Sequence, residues 1–315
     1  MIKPLVSYVV PVYNKSHAVQ STLASLLRQA GPFDAEFIFV DDASTDNSVA
    51  ILENYNDERI TVIKNSDNHG PAVRLNQGAR ASNGDFLQFV DADDILARGA
   101  TAEMLQILLR EKADVIYGKW QVTSETAESL LRQEVPPGQR YEVSDRPLQY
   151  VLTHKRIVRM VLMTTRSCFT ASGGCDETIF VQDESLPLRL AAKAERFVDY
   201  SGITVYVPAQ DESNLSYNKI QQHHDGFCAY RNAMEDLQGI DALCAQLLNK
   251  KAMSIVWKHY RRNTSGSIIS TLFLKYLCSK IFPSIPSSEK LDKLYELFDP
   301  YSGQIRRPDA QASKP

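Results

Sequence analysis

The stretch Phe86 to Asp94 (FLQFVDADD) joins an apolar run of strand type to three carboxylates within four residues. Buried strands favour aromatic and β-branched residues, whereas uncompensated carboxylates are costly to bury. The run must therefore end at an open edge, where water, a metal or a phosphate meets the acids. Alternate side chains at a strand end point the same way, so Asp91 and Asp93 can address one ligand. Hard divalent cations take such oxygen donors and keep positions open for substrate phosphates. On these residues alone, a cation site and a solvated or helix-capping acidic loop both stand.

At 315 residues the chain can hold one large domain, or a main domain with a smaller appendage. A net charge of −3 gives no sign of a nucleic-acid partner. The five cysteines form no CxxC pair and are odd in number, so neither a zinc site nor a disulfide framework is signalled, which fits a reducing compartment. The first residues run straight into a strand pattern without a signal-peptide core, and no apolar run reaches the roughly 18 residues of a spanning helix. The expectation is a cytoplasmic protein.

Strand patterns at Leu5–Val12, Glu36–Val40, Ile60–Lys64 and Phe86–Val90 alternate with helical patterns at His17–Gln29 (with Ser16 as N-cap), Asn47–Tyr55 and Ala72–Ala81. This order predicts an α/β fold with a mostly parallel central sheet and helices on both faces. Polar clusters recur at strand C-terminal ends: Tyr13-Asn14, Asp41-Asp42 and Asp91 to Asp94. In open α/β sheets those ends line the ligand crevice. No GxGxxG follows the first strand and no GxxxxGK[ST] occurs, which excludes the usual dinucleotide fold and the P-loop NTPases.

Together these residues resemble the catalytic domain of a family 2 glycosyltransferase with the GT-A fold. The likeness is carried by Val10 to Asn14 (VPVYN), Val40 to Asp46 (VDDASTD), Asn76-Gln77-Gly78 with Gly84-Asp85, and Val90 to Asp94, in the family's order. It implies a nucleotide-sugar donor, with Pro11, Val12 and Tyr13 beside base and ribose, Asp42 accepting a hydrogen bond from the base, and Asn76 and Ala92 among the donor contacts. It also implies Mn²⁺ or Mg²⁺ on Asp93, with Asp91 at the ribose or the metal's water shell. Arg74 lies one position off the family's arginine and reads either as a phosphate contact or as a solvent-facing helix residue.

Gly173 to Glu177 (GGCDE), followed by Val181 to Glu184 (VQDE), resembles the family loop that carries the general base of inverting members. The matching acid is Asp183, with Gln182 replacing the usual first acid and Cys175 the usual aromatic. A carboxylate at a helix start stays ionised beside the helix dipole; Asp183 could equally be an N-cap, and Glu184 is the neighbouring alternative base. Gln121 to Arg146 reads as a surface excursion, Phe197 to Val207 as paired strands or a hairpin, and the adjacent His223 and His224 as surface residues rather than ligands.

No acidic residue occurs between Asp241 and Glu289, a window holding Lys250, Lys251, Lys258, Arg261, Arg262, Lys275 and Lys280. Trp257, Tyr260, Phe273, Tyr276 and Phe282 are interleaved with them, a pattern that suits an anionic membrane surface or, alternatively, a helix packed on the catalytic domain. The expected organisation is a catalytic domain over 1–217, a basic helical appendage over 218–299 and a loose tail over 300–315. The function implied is an inverting transfer of sugar to a glycan or lipid-linked acceptor in surface polysaccharide or lipopolysaccharide synthesis, at the cytoplasmic face of the inner membrane. The rivals are a non-catalytic nucleotide-sugar-binding scaffold and a sugar nucleotidyltransferase. The latter needs a glycine-rich, basic first loop that Pro11 to Asn14 lacks.

Overall fold

The computed structural model describes residues 3–136, 138–154, 159–209, 218–236, 240–264, 270–282 and 284–308. Strand β1 (Leu5–Val12) lies inside the sheet, and its apolar run is buried at Val6, Tyr8, Val9, Val10 and Val12. The polar exception, Ser7, is buried with partners: it donates to Glu36 at 2.7 Å and accepts the Gly84 N–H at 2.8 Å.

β1 pairs in parallel with β2 (Asp34–Asp41) on one side and β4 (Phe86–Phe89) on the other, and β2 pairs in parallel with β3 (Ile60–Ile63). Beyond β4 the order continues through β8 (Leu162–Thr165), β6 (Val115–Thr123), β9 (Phe197–Pro208) and β5 (Ile95–Leu96), with β7 (Tyr141–Ser144) on β9. β8 runs antiparallel to both neighbours.

Between the strands run α1 (Val19–Leu27), α2 (Ser48–Glu53), α3 (Pro71–Ala81), α4 (Ala100–Glu111), α5 (Ala127–Leu130), α6 (Pro147–His154), α7 (Arg166–Ser172) and α8 (Gln182–Lys193). Helix α3 approaches the sheet closely at Gly78, where a Cβ would collide with Val9 and come within 2.9 Å of Val40 Cγ2. The C-terminal region forms α9 (Lys219–Asp236), α10 (Ala242–Asn263), α11 (Thr271–Ile281), α12 (Ser288–Tyr295) and a 3₁₀ segment Glu296–Gln304.

Four expectations are corrected. Ser16 does not cap α1: the helix starts later, at Val19, with Ala18 in the cap position, and the Lys15 carbonyl takes the Ala18 and Val19 N–H groups at 2.9 and 2.8 Å. The polar stretch 121–146 is partly ordered sheet: β6 runs to Thr123 and β7 closes an edge, its outward side chains accounting for the polarity. Phe197 to Pro208 is one irregular strand rather than a hairpin, its register against β6 shifting where Gly118 faces Thr204. The tail is held through Pro308: Phe298 and Ile305 are buried, and Gln221 binds the Arg306 backbone N–H at 2.6 Å. The expected domain boundary at 217 lies outside the described residues.

Candidate active site

The loops after β1 and β2 are laced together by polar contacts. Asn14, at φ 51°, receives Thr45 N–H on its side-chain oxygen at 2.8 Å and gives its own N–H to Ser44 Oγ at 3.0 Å. Lys15 N–H reaches Ser48 Oγ at 2.8 Å. Ala43, at φ 62°, is a second non-glycine residue in the left-handed region, an uncommon backbone state that marks a loop held by its surroundings. Tyr13 stands exposed at the rim while Val12 beneath it is buried and Pro11 half-buried.

Asp42, expected to meet the base, is buried and already engaged. Its carboxylate accepts the N–H groups of His69 and Gly70, both at 2.8 Å, and Arg74 Nε at 2.6 Å. Arg74 is likewise buried, so the solvent-facing reading of it is overturned; α3 turns it inward to neutralise Asp42. The adjacent Asp41 accepts only the Ser44 N–H, at 3.1 and 3.3 Å to its two oxygens, among the described hydrogen bonds. Asn76, expected at the donor, is buried. Its amide donates to Cys175 O at 2.9 Å and Glu177 Oε1 at 2.8 Å, and accepts Cys175 N–H at 2.8 Å. It pins the glycine loop, where Gly174 (φ 72°) leaves room that a Cβ would take from Asn76.

The acids after β4 form one electrostatic unit with α8. Lys15 Nζ lies 2.5 Å from Asp93 Oδ2, and Arg159 NH1 lies 3.9 Å from Asp94 Oδ1. Ala92 is buried, its carbonyl held by Thr22 Oγ1 at 2.9 Å. Gln182 Nε2 reaches Asp91 Oδ1 at 3.3 Å, so the residue that replaces the family's first acid ties the loop before α8 to the acidic cluster. Asp183 is in the first turn of α8, but the cap position is Val181, and Asp183 Oδ1 is buried with no hydrogen-bond donor. Burial, then the charge of Asp93, pushes Asp91 up to about 6. Burial first, then neighbouring carboxylates, raises both Asp94 and Asp183 well above the usual range, while Arg159 opposes the rise in all three. Arg159 and Lys15 are thus site residues that sequence reasoning missed. Lys15 directly follows Tyr13-Asn14 and was within reach of that motif; Arg159, some 65 residues from Asp94 along the chain, carries no local signal.

This donor set fits a hard divalent cation. The oxygens of Asp94 and Asp183 that lack hydrogen-bond donors and the mutually raised acids describe a place short of positive charge. Among the described residues no three acidic, histidine or cysteine side chains converge to enclose an ion. The chain would supply a partial shell, the arrangement suited to an ion shared with substrate phosphates.

Helix α9 braces this loop from behind. Asp225, fully buried, accepts the Val181 N–H at 2.8 Å, and Asn232 Nδ2 donates to Asp176 at 2.7 Å. Asp225 also receives Gln221 Nε2 at 2.9 Å and faces His224 Nδ1 at 2.7 Å. His224 is therefore interior, correcting its surface assignment, and half-buried His223 lies edge-on to His259 at 5.9 Å.

Residues 7–157 match the sequence model of Glycosyl transferase family 2. The match takes in 151 of the 315 residues, and over that stretch the chain is similar to family 2 glycosyltransferases. Over 118 residues the chain is 28% identical to an Escherichia coli UDP-Glc:alpha-D-GlcNAc-diphosphoundecaprenol beta-1,3-glucosyltransferase, WfgD, covering 38% of this chain and 46% of that one. The chain spans about half the length of such curated relatives. Two solved structures share the GT-A fold of this chain. Staphylococcus aureus TarS with UDP-GlcNAc superposes at a TM-score of 0.66 with 17% identity, covering 95% of this chain and 92% of that one. The mannosyltransferase PcManGT of Pyrobaculum calidifontis, in complex with GDP-Man and Mn²⁺, gives 0.59 with 16% identity over 96% and 87%.

Proposed function

We propose that this chain is an inverting glycosyltransferase that moves a sugar from a nucleoside diphosphate to a glycan or lipid-linked acceptor during surface polysaccharide synthesis. The observation that carries the reading is the bond from Gln182 to Asp91, which joins the segment bearing Asp183, whose Oδ1 is buried without a hydrogen-bond partner, to the acidic strand end. Inverting transfer needs both together: a base at the acceptor hydroxyl, and charge control where the diphosphate departs.

In this reading Asp183 takes the proton of the acceptor hydroxyl as that oxygen attacks the anomeric carbon. The bond from that carbon to the diphosphate oxygen breaks on the opposite face, and configuration inverts. Burial and the negative neighbours make Asp183 a stronger base than an ordinary carboxylate. Arg159 opposes the rise. Asp93, with Asp91, would hold Mn²⁺ or Mg²⁺; when bound, the cation neutralises charge developing on the leaving diphosphate. Pro11, Val12 and Tyr13 would border the nucleoside. Asp41, which accepts fewer hydrogen bonds than Asp42, has more acceptor capacity left for a hydrogen bond from the base.

The test is a thermal-shift screen of nucleotide-sugars with Mn²⁺ and Mg²⁺, followed by donor hydrolysis and transfer assays. A cation-dependent shift with one donor, and release of its nucleoside diphosphate, is expected. Binding without any release of diphosphate would leave a scaffold and end the catalytic reading.

A further inference from the structure

Helix α11 is apolar on both of its sides. On the inner side Phe273 and Tyr276 pack against Trp257, with ring centroids at 5.1 and 6.0 Å, and Tyr260 stacks on the same indole at 6.1 Å. The aromatic residues that looked membrane-facing in the sequence are therefore largely a packing cluster. On the outer side Leu274, Leu277, Cys278 and Ile281 recur at i, i+3, i+4 and i+7 and are exposed. Phe282 and Ile285 continue the stripe past the helix end, with Phe282 71% and Ile281 66% exposed. Of the ten large apolar side chains exposed among the described residues, five fall between positions 274 and 285. A cluster of exposed apolar side chains of this kind marks an interaction surface.

We propose that the outer face of α11, together with Phe282 and Ile285, seats on the anionic surface of a lipid bilayer. Charge selects this occupant. Lys275 and Lys280 are exposed on the same helix, Lys280 lying over the Tyr276 ring at 5.2 Å, and no acidic residue occurs from 242 to 288. A bilayer with acidic headgroups offers an apolar layer for the stripe and negative charge for the lysines. No helix among the described residues is long and apolar enough to cross a membrane, so α11 lies along the surface. Its far end is fixed to the protein by Asn249 Nδ2 donating to Ser284 O at 2.8 Å, which holds the stripe outward. This surface shares no residue with the acidic cluster, so it stands or falls independently of the catalytic reading.

The experiment is cosedimentation of the full chain with vesicles of phosphatidylcholine alone, or with about one third phosphatidylglycerol. Binding to the anionic vesicles only is expected. Ile281→Asp with Phe282→Asp should weaken it by tenfold or more (roughly), and Lys275→Glu with Lys280→Glu by about fivefold per lysine. All four side chains are exposed, so circular dichroism and donor thermal shifts should match the parent. Failure of the parent to sediment with anionic vesicles, or indifference to both double substitutions, would overturn the proposal. So would a concentration-dependent dimer, seen by light scattering, that Ile281→Asp with Phe282→Asp abolishes, since the stripe would then belong to a second copy.

Discussion

The carboxylate of Asp225, in the C-terminal helical region, accepts the backbone N–H of Val181, the residue that opens the helix bearing Asp183. The contact is 2.8 Å long, and Asp225 is fully buried. An unpaired N–H at that helix start would leave the first turn, and with it Asp183, without a fixed direction. Asp225 is thus a positioning residue for the proposed base. Asp225→Ala should lower turnover by about tenfold to a hundredfold while sparing the donor-induced thermal shift. Asp225→Asn, which keeps an acceptor for Val181, should fall between parent and alanine. Equal losses in both variants, tracking melting temperature alone, would reduce Asp225 to a packing role.

Asp183→Asn preserves shape and removes the proposed base. A loss of turnover by about 10²–10⁴-fold is expected, with nucleotide-sugar binding retained. Glu184→Gln should cost far less. Kinetics and thermal shift on the two variants decide between the neighbouring acids.

The buried pair of Arg74 and Asp42 reads as structural. Removing one partner strands the other's charge, so Arg74→Ala should destabilise the fold by about 3–5 kcal/mol in denaturant unfolding. Asp41→Ala should instead weaken nucleotide binding with little change in stability. The reverse pattern would restore Asp42 to the donor site.

Cation binding needs ionised carboxylates. Because Asp91 is pushed up to about 6 by burial and by Asp93, its carboxyl is mostly protonated at pH 5 and mostly ionised at pH 7.5. The rise in melting temperature on adding Mn²⁺ or Mg²⁺ should therefore be clearly larger at pH 7.5. It should vanish in Asp93→Ala at either pH, and a persistent shift in that variant would remove Asp93 as a ligand.

His223 gives the stability curve an acid limb. Burial, then His259, holds its pKa down to about 4, so the unfolded chain takes up a proton before the folded one does. The stability it contributes is complete above pH 6.5, its ordinary value, and is lost as pH falls toward 4. His223→Phe should flatten melting temperature against pH across that window. An unchanged slope would place the acid sensitivity elsewhere.

Much of the N-terminal half was legible because its signals are local. Apolar strands such as Leu5–Val12 end in polar clusters, and a parallel α/β sheet brings those ends to one rim. What escaped was set by pairing across the chain. The inward fold of Arg74 onto Asp42 and the grip of the Asn76 amide on Cys175 are contacts of that kind. Side-chain direction on a helix depends on what it packs against, which a single sequence does not state. The same reason hid the burial of His224, whose partner Asp225 is adjacent but whose enclosure comes from Tyr295 and Phe298, over seventy residues on.

Gln221 clasps Arg306 by both ends of its amide, accepting its N–H and donating to its carbonyl at 3.1 Å, while the Arg306 guanidinium covers the ring of Phe180. The final described stretch is consequently part of the scaffold under the base-bearing segment. Trimming the protein near residue 300, a natural choice for crystallisation on sequence grounds, would strip that underlay and leave a well-folded sheet with a slack segment around the proposed base.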